Sequence, residues 1–305
     1  MVNTDILNKK ILLLDSAMGS ALIAAGALPA GEGSENANLI SPAIVEEIHR
    51  RNIDAGCDIV TANTFGAHIG VNLRKDSDPA LAEEALHAGV RLARKAVDGS
   101  AARIAPDRKI YVALDIGPIG DIIGLTSSLT HDDATEVFAR MAGAGAAEGA
   151  DLVLIETMSD LAEAIDAITA AKAETDLPVF CSMTFGEKGK TFMGVSVEAF
   201  VEAAVAAGAD AVGCNCSLGP DGMLPVAQAL IGAAGDIPVL VQPNAGQPLV
   251  KENEVYYDMT PEVFADGMSA MIEAGARIAG GCCGTTPEMI ALLKKRITLL
   301  EERIA

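Results

Sequence analysis

The sequence predicts one α/β domain over residues 1–305, folded as a (β/α)8 barrel, the TIM-barrel architecture. Eight short apolar runs alternate with alanine-rich stretches whose apolar residues recur every three or four positions, which is typical of helices. The apolar runs are nearly continuous, as in a parallel sheet covered by helices. The turn after the first run, "DSAMGS", lacks the G-x-G-x-x-G loop that an open dinucleotide-binding sheet carries there.

The eight strands are predicted from their β-rich composition and from the turn residues that follow them. In chain order they are "ILLLD" (11–15), "CDIVTAN" (57–63), "IYVALDIG" (110–117), "DLVLIET" (151–157), "PVFCSMT" (178–184), "DAVGCNC" (210–216), "PVLVQPN" (237–244) and "ARIAGGCC" (276–283). Helices occupy the intervals, as in "SPAIVEEIHRRNIDAG" and "SVEAFVEAAVAAGAD". A glycine shortly before several strands suits a helix C-cap that returns the chain to the sheet.

The composition argues against several classes of partner and location. A formal net charge of −20 argues against nucleic acid and anionic membrane surfaces, because both attract basic patches. No apolar stretch approaches the ~20 residues that span a bilayer, and the N-terminus lacks a signal-peptide pattern. The six cysteines are spread along the chain, unlike the dense framework of a small disulfide-rich domain. We therefore expect a cytoplasmic protein.

Polar residues recur where the predicted strands end. In a (β/α)8 barrel the loops at the carboxyl ends of the strands build the active site. The polar residues at these positions are, in chain order, Asp15, Asn63, Thr64, Asp115, Glu156, Thr184 and Asn244. Each alone is more often a helix cap than a ligand. Their convergence on one rim nevertheless favours a binding site.

Three cysteines on the same rim indicate a metal site. Cys282 and Cys283 are adjacent, and neighbouring Cα atoms about 3.8 Å apart are too close for an ordinary disulfide, which needs roughly 4.4–6.8 Å. Two thiolates on one tetrahedral metal need sulfurs about 3.8 Å apart, which adjacent residues can supply where a strand ends. Cys216 is predicted as the third ligand, whereas its competitor Cys214 is interpreted as a core residue. Three thiolates with an open fourth position predict a catalytic zinc site.

The chemistry that such a centre suits is thiol activation. Three thiolates leave Zn²⁺ a poor Lewis acid for splitting water, but metal coordination still deprotonates a thiol at neutral pH. The reaction class implied is alkyl transfer to sulfur. No catalytic residue is predicted beyond the metal centre itself.

The remaining rim residues predict recognition of an amino acid. Carboxylates at Asp15 and Glu156 suit a substrate ammonium, and the "DSAMGS" turn opens a helix whose free N–H groups suit a substrate carboxylate. Asn244 is placed near the metal, as a candidate for its fourth position when substrate is absent. The predicted substrate-binding residues are Asp15, Ser16, Ala17, Met18, Asn63, Thr64, Glu156 and Asn244.

The same motifs resemble those of a known family. "LDSAMGS", "TANTFGAH", "DIGPIG", "LIETMSD", "GCNCSLGP", "PNAGQP" and "GGCCGTTPEMI" occur in this order over residues 14–290. The chain resembles the homocysteine S-methyltransferase family, most closely the homocysteine-binding barrel of cobalamin-dependent methionine synthases. The resemblance implies zinc on Cys216, Cys282 and Cys283, homocysteine as methyl acceptor and methionine as product. It also implies Asp15 and Glu156 as partners of the substrate amino group.

One departure from the family pattern falls in the first turn. The family usually has glycine where this chain has Ser16. If that position needs a positive φ, serine is strained there; otherwise its hydroxyl is free to add a substrate contact.

The methyl donor is the part of the reaction that the sequence leaves open. Folate-binding, corrinoid-binding and reactivation modules of a complete cobalamin-dependent synthase have no counterpart in these 305 residues, so we expect a separate donor. A methyl-corrinoid protein docking on the barrel mouth is the first expectation. The alternative donor is a small onium compound such as S-methylmethionine or a betaine. The acceptor could instead be a different thiol or a selenol. The chain could also be a fragment of a larger synthase, or a non-catalytic zinc-binding subunit of a methyltransferase complex.

Overall fold

The computed structural model describes residues 6–7, 9–28, 32–68, 79–101, 105, 108–120, 123, 129–251 and 254–304. The strands are β1 (Leu12–Leu13), β2 (Ile59–Thr61), β3 (Tyr111–Ile116), β4 (Leu152–Met158), β5 (Val179–Met183), β6 (Ala211–Asn215), β7 (Val239–Gln242), β8 (Leu249–Lys251), β9 (Glu254–Tyr256) and β10 (Ile278–Ala279). All except β8 and β9 belong to one parallel sheet, in the order β1-β10-β7-β6-β5-β4-β3-β2. The predicted (β/α)8 barrel is confirmed.

Helices separate the strands and cover the outside of the barrel. They are α1 (Met18–Ala24), α2 (Ala37–Ile40), α3 (Pro42–Ala55), α4 (Pro79–Asp98), α5 (His131–Ala147), α6 (Leu161–Glu174), α7 (Val197–Ala206), α8 (Pro220–Ala234), α9 (Pro261–Ala274) and α10 (Pro287–Ile304). The predicted glycine C-caps are observed, since Gly56, Gly149 and Gly208 follow helices at positive φ. None of the described helices is long and apolar enough to cross a membrane.

Hydrogen bonds to aspartate side chains, as well as a backbone hydrogen bond, join β1 to β2 where the barrel closes. The Asp58 amide donates to the Leu13 carbonyl at 2.6 Å, and the Leu13 amide donates to Asp58 Oδ2 at 3.0 Å. At the other end of the seam, the Thr61 amide donates to Asp15 Oδ2 at 2.8 Å. The carboxylate of Asp15 thus fixes the top of β1 to the top of β2.

An aspartate at the start of a strand recurs around the bottom of the barrel. Each accepts a hydrogen bond from a backbone N–H of the preceding strand and pairs with a basic side chain. The sets are Asp58 with Leu13 and Lys9, Asp151 with Val112 and Arg94, and Asp210 with Val179 and Lys172. This arrangement gives a structural reason for the glycine–x–aspartate pattern in the sequence.

The barrel interior is an apolar plug with a polar layer above it. One buried cluster consists of strand residues together with the N-terminal Ile6 and Leu7, and includes Tyr111, Ala113 and Leu154. Because strand side chains alternate with a period of two, the next inward positions lie nearer the mouth. They are Thr61, Asp115, Glu156, Ser182, Asn215 and Gln242. The register of the strands therefore places polar side chains at the C-terminal end of the barrel, where active sites are built.

The antiparallel hairpin β8–β9 is the one feature of the described sheets that the sequence did not predict. Its register pairs Leu249 with Tyr256 and Val250 with Val255. It lies in the connection from β7 to α9, at the C-terminal face of the barrel. Val250 and Val255 are 72% and 59% exposed, so the hairpin presents apolar side chains beside the mouth.

Candidate active site

Three cysteine sulfurs meet at the mouth of the barrel. Cys216 follows β6, and Cys282 and Cys283 follow β10. The Sγ of Cys283 lies 3.8 Å from that of Cys216 and 4.0 Å from that of Cys282, and all three atoms lie within 4.8 Å of one another. A tetrahedral zinc with bonds of about 2.3 Å requires sulfurs about 3.8 Å apart. The three side chains therefore fit a metal of that size and geometry.

The turn after β6 directs Cys216 toward the mouth. Cys216 and Ser217 both have φ of 60°, a left-handed conformation that non-glycine residues seldom adopt. Such strain costs about 1–3 kcal/mol per residue and is concentrated at functional sites. Cys214, two residues earlier, is buried with the side chains that pack the barrel against its helices. The left-handed turn thus separates the two cysteines of "CNC". Cys214 packs in the core, and Cys216 lines the mouth of the barrel.

The electrostatics of the cluster favour a shared thiolate. Hydrogen bonds from Cys282 and Cys283 lower the pKa of Cys216 to about 3. The same contacts raise the pKa of Cys282 well above its usual value and that of Cys283 to about 11. At neutral pH the cluster therefore keeps one negative charge among its three sulfurs, which makes it a donor set for a soft cation.

Asn244 adds a second observation that fits a metal. It follows β7, is 3% exposed, and its side-chain hydrogen bond to Cys216 helps to lower the pKa of that thiol. Its Oδ1 is buried without a hydrogen-bond partner. Asn244 therefore contacts Cys216 from a buried position and keeps one side-chain oxygen without a donor.

Asn215, the last residue of β6, connects this strand to β4 and β5. Its Oδ1 accepts from the Thr157 amide and from Ser182 Oγ, both at 2.8 Å. Its Nδ2 donates to Thr157 Oγ1 at 2.7 Å and lies 3.9 Å from Cys282 Sγ. Thr157 needs this support because its φ is 64°. Asn215 therefore fixes both the backbone at Thr157, next to Glu156, and the orientation of the Cys282 side chain.

We expect Asn215→Ala to lower both stability and metal affinity. Loss of bonds to the partly buried Thr157 N–H and the buried Ser182 hydroxyl reduces the free energy of unfolding by about 2–4 kcal/mol. Loss of an outer hydrogen bond to a ligand reduces zinc affinity about 10–100-fold. Urea denaturation and competition with a chelator measure the two effects. Ser182→Ala, which removes one bond and leaves Cys282 untouched, is the matched control. Unchanged zinc affinity in Asn215→Ala would contradict the assignment.

A cavity of about 240 Å³ opens beside the three cysteines. Its lining combines the turn after β1, the inward polar residues of the strands and the three cysteines. The lining residues are Asp15, Ser16, Ala17, Met18, Gly19, Ser20, Ser34, Thr61, Ala62, Asn63, Phe65, Asp115, Glu156, Thr157, Cys216, Gln242, Gly281, Cys282 and Cys283. The lining contains three carboxyl groups and no lysine or arginine. The cavity is therefore complementary to a small cationic group.

The carboxyl groups of the cavity are held in different ways. Asp15 Oδ1 accepts from Thr61 Oγ1 at 2.8 Å while its Oδ2 accepts from the Thr61 amide. Burial raises the pKa of Asp15 to about 7, against the lowering effect of these bonds. Burial, and then the negative charge of Cys216, raise the pKa of Glu156 to about 8, while a bond to Gln242 lowers it. A bound cation would favour the charged form of both groups.

Six of the eight predicted substrate-binding residues line this cavity. Asp15, Ser16, Ala17, Met18, Asn63 and Glu156 line it, whereas Thr64 and Asn244 do not. Thr64 is fully buried and its hydroxyl donates to the Asp115 carbonyl at 2.8 Å. Asn63 donates to the Ser34 carbonyl and to Asn38 Oδ1, so its amide group is engaged in holding the loop before α2.

Ser16 is accommodated without strain. It is absent from the described residues with positive φ. Its amide and its hydroxyl both donate to Asn52 Oδ1, at 3.1 and 2.8 Å. The next amide, that of Ala17, donates to Thr285 Oγ1 at 3.1 Å. The serine in place of the family's glycine therefore ties the first turn to α3.

Thr61, Asp115 and Gln242 line the cavity although they were not among the predicted substrate residues. The signal that locates Asp115 is the inward series Tyr111, Ala113 and Asp115, because every second residue of a strand faces the same side. The same reasoning from Leu240 locates Gln242. That signal becomes usable only once one inward residue of each strand is known.

Sequence comparison relates the chain to methyltransferases. A sequence model described as homocysteine S-methyltransferase matches residues 12–297. The methionine synthase of Mycobacterium tuberculosis is 33% identical over 300 residues, covering 94% of this chain and 24% of the synthase. The methionine synthase of Mycobacterium leprae is 32% identical over 302 residues, with the same coverages. The chain thus spans about a quarter of the length of these curated relatives.

Comparison with solved structures agrees over nearly the whole barrel. The homocysteine methyltransferase MmuM from Escherichia coli, in its metallated form, superimposes with a TM-score of 0.81 and 25% identity, covering 96% of this chain and 99% of that chain. Its oxidized form gives a TM-score of 0.81 and 26% identity. Both the fold and the presence of a metallated form in a relative are consistent with the geometry of the three cysteines.

Proposed function

The chain belongs to the homocysteine S-methyltransferase family, and from that premise we propose that it is a zinc-dependent enzyme that binds homocysteine as a thiolate and transfers a methyl group to it, giving methionine. The observation that carries the proposal is the set of three sulfurs within 4.8 Å of one another, beside a cavity lined by carboxyl groups. A thiol and an ammonium on one small molecule match these two features.

Cys216, Cys282 and Cys283 would hold the metal in this proposal. Zn²⁺ bound there supplies deprotonation of a thiol at neutral pH and keeps the sulfur nucleophilic. Asn215 orients Cys282 from behind. The left-handed turn at Cys216 keeps that sulfur at the mouth, open to the cavity.

Asp15 and Glu156 would bind and orient the substrate through its ammonium. A charge-assisted hydrogen bond to a carboxylate in a partly buried site is stronger than one between neutral groups. Met18, Gly19 and Ser20 line the same cavity and form the first turn of α1, so their backbone N–H groups are the candidate partners of the substrate carboxylate. With both ends fixed, the thiol is directed toward the three cysteines.

Proton release on binding tests this proposal. An ordinary thiol has a pKa near 8.5, so its binding as a thiolate at pH 7 releases about one proton. Calorimetry of the zinc-loaded protein with L-homocysteine in buffers of different ionisation enthalpy measures that number. Homocysteine should release about one proton more than L-methionine, which carries the same ammonium and carboxylate but no thiol. Equal proton release by the two ligands would overturn the thiolate mechanism.

The methyl donor is proposed to be a methyl-corrinoid carried by a separate protein module. Two observations support a protein partner at the mouth. The connection from β5 to α7 exposes Phe192 to 91%, and the β8–β9 hairpin exposes Val250 to 72%. These two loops flank the loop that carries Cys216. Exposed large apolar side chains around a site are typical of protein interaction surfaces.

We expect Phe192→Asp to slow methyl transfer from a methyl-corrinoid protein about tenfold or more, because an exposed aromatic residue at an interface centre often dominates binding. Transfer from free methylcobalamin should be unchanged, since it needs no protein contact. Leu299→Asp is the matched control, because Leu299 is 53% exposed near the C-terminal end of α10, away from the mouth.

A different pattern of donors would contradict the proposal that a methyl-corrinoid supplies the methyl group. Methionine formation from S-methylmethionine or betaine, with none from methylcobalamin or a methyl-corrinoid protein, would replace the corrinoid by a small onium donor. It would leave the homocysteine site as proposed.

A further inference from the structure

Asp115 is a carboxyl group of the cavity that the proposed mechanism does not yet use. It lies near the end of β3, two residues after Ala113, whose side chain belongs to the barrel interior. It is 6% exposed and lines the cavity with Asp15 and Glu156. Its backbone is fixed on both sides by Thr64, whose Oγ1 accepts from the Asp115 amide at 3.0 Å and donates to the Asp115 carbonyl at 2.8 Å.

The three carboxyl groups differ in whether their oxygens are already engaged. Both oxygens of Asp15 accept hydrogen bonds from Thr61, and Glu156 has a bond to Gln242. Asp115 Oδ1 is buried and has no hydrogen-bond partner. A buried oxygen without a donor is unfavourable, and in native proteins it is rare unless a ligand or water supplies the donor.

The chemistry of the cavity restricts which ligand can supply that donor. The residues that line it include no lysine or arginine, so no cationic side chain of the lining neutralises the three carboxyl groups. A primary ammonium carries a positive charge and three N–H donors on one atom. It is the group of an amino-acid substrate that can serve more than one carboxylate at once.

We propose that Asp115 is a third substrate-binding carboxylate, whose Oδ1 accepts one N–H of the substrate α-ammonium alongside Asp15 and Glu156. This inference rests on the proposed function and makes it more specific. Three acceptors around one nitrogen require all three hydrogens of a free ammonium. The site then selects thiols that carry an unsubstituted α-amino group and discriminates against N-acylated or deaminated analogues.

A cycle of variants and ligands isolates this contact. L-homocysteine is compared with 4-mercaptobutanoate, which keeps the thiol and the carboxylate and lacks the amino group. Binding to the zinc-loaded protein is measured by calorimetry for the wild type, Asp115→Asn and Asp115→Ala. We expect both variants to bind homocysteine about 10–100-fold more weakly than the wild type, because a charge-assisted hydrogen bond is lost. Their affinity for 4-mercaptobutanoate should change less than about twofold.

Controls separate this contact from a structural effect. Asp132→Asn, at an exposed aspartate in the first turn of α5, removes a carboxylate that does not line the cavity and should bind both ligands as the wild type does. Zinc content and the thermal midpoint of each variant report on folding, and the asparagine variant keeps the size of the side chain if the alanine variant does not fold.

Three other binding results would each contradict a different part of this account. Equal weakening of both ligands in the Asp115 variants would mean that Asp115 acts only on the structure of the pocket. Undiminished homocysteine binding would remove Asp115 from the ammonium site while leaving the proposed function intact. Failure of the wild type to bind homocysteine at all would overturn the proposed function, and this inference with it.

Discussion

Cys282→Ser should abolish tight zinc binding and methyl transfer while leaving a folded barrel. Serine has nearly the same size but lacks the thiolate that holds a soft metal. The barrel does not depend on the cluster for its core, because its interior plug and the layer under its helices are built from other side chains. Zinc content after dialysis against a chelator, circular dichroism and product formation measure the three expectations.

Cys214→Ala provides the matched control for the cysteine series. Cys214 is 1% exposed and lies two residues before Cys216 on the same strand, yet its side chain packs under the helices. Its replacement should lower stability slightly and leave zinc content and activity unchanged. Unfolding of Cys282→Ser would instead show that the metal is structural. Zinc loss in Cys214→Ala would contradict the assigned ligand set.

Glu156→Gln should weaken homocysteine binding about 10–100-fold without loss of zinc. The glutamate lines the cavity from the end of β4 and is a carboxylate partner proposed for the ammonium. Glutamine keeps the shape and the capacity to bond Gln242 but removes the charge. Calorimetry with L-homocysteine, together with zinc analysis, measures the separation of the two effects.

The pH dependence of homocysteine binding should change in the same variant. The raised pKa of Glu156, about 8 in the free protein, means that below this pH a proton must leave the carboxyl group before it can pair with the ammonium. Affinity attributable to Glu156 therefore increases as the pH rises toward 8, and Glu156→Gln should lose that increment. Glu202→Gln, at an exposed position on α7, should keep it. Undiminished affinity in Glu156→Gln would remove this residue from the site.

The architecture and the convergence of three cysteines could be predicted from the sequence because their signals are local. Each barrel strand is an apolar run followed by turn residues, and the strands are observed inside the predicted limits, although shorter, except β4, which continues to Met158. The adjacent pair Cys282 and Cys283 predicts a metal site because few other arrangements suit two neighbouring thiols. Cys216 follows from its place on the same rim of a parallel barrel.

The inner surface of the pocket was harder to predict from the sequence because it depends on strand register and on backbone conformation. Thr64 and Asp115 both lie near the carboxyl end of a strand, but the side chain of Thr64 is buried in the protein and that of Asp115 lines the cavity. The left-handed backbone at Thr157, Cys216 and Ser217 has no sequence signal, since glycine is absent from all three positions. The bonds from Asn215 that support this backbone connect three strands and appear only in the folded chain.

The β8–β9 hairpin shows a different limit. Its two three-residue strands, Leu249–Lys251 and Glu254–Tyr256, lie within a loop, and such short runs have no distinctive periodicity. The hairpin nevertheless leads to Tyr257, whose ring packs against the backbone of Gly284. A hydrogen bond with Cys283 contributes to raising the pKa of this tyrosine to about 12, after burial and the charges of the cysteines. The loop therefore contributes to the surroundings of the three cysteines.

X-ray absorption at the zinc edge, on the purified chain with and without L-homocysteine, tests the central claim most directly. The expected result is three sulfur ligands without substrate, from Cys216, Cys282 and Cys283, and four sulfur ligands when L-homocysteine is present. The zinc–sulfur distances should be about 2.3 Å in both states. A sulfur count that stays at three with homocysteine bound would contradict the claim that this site activates the substrate thiol.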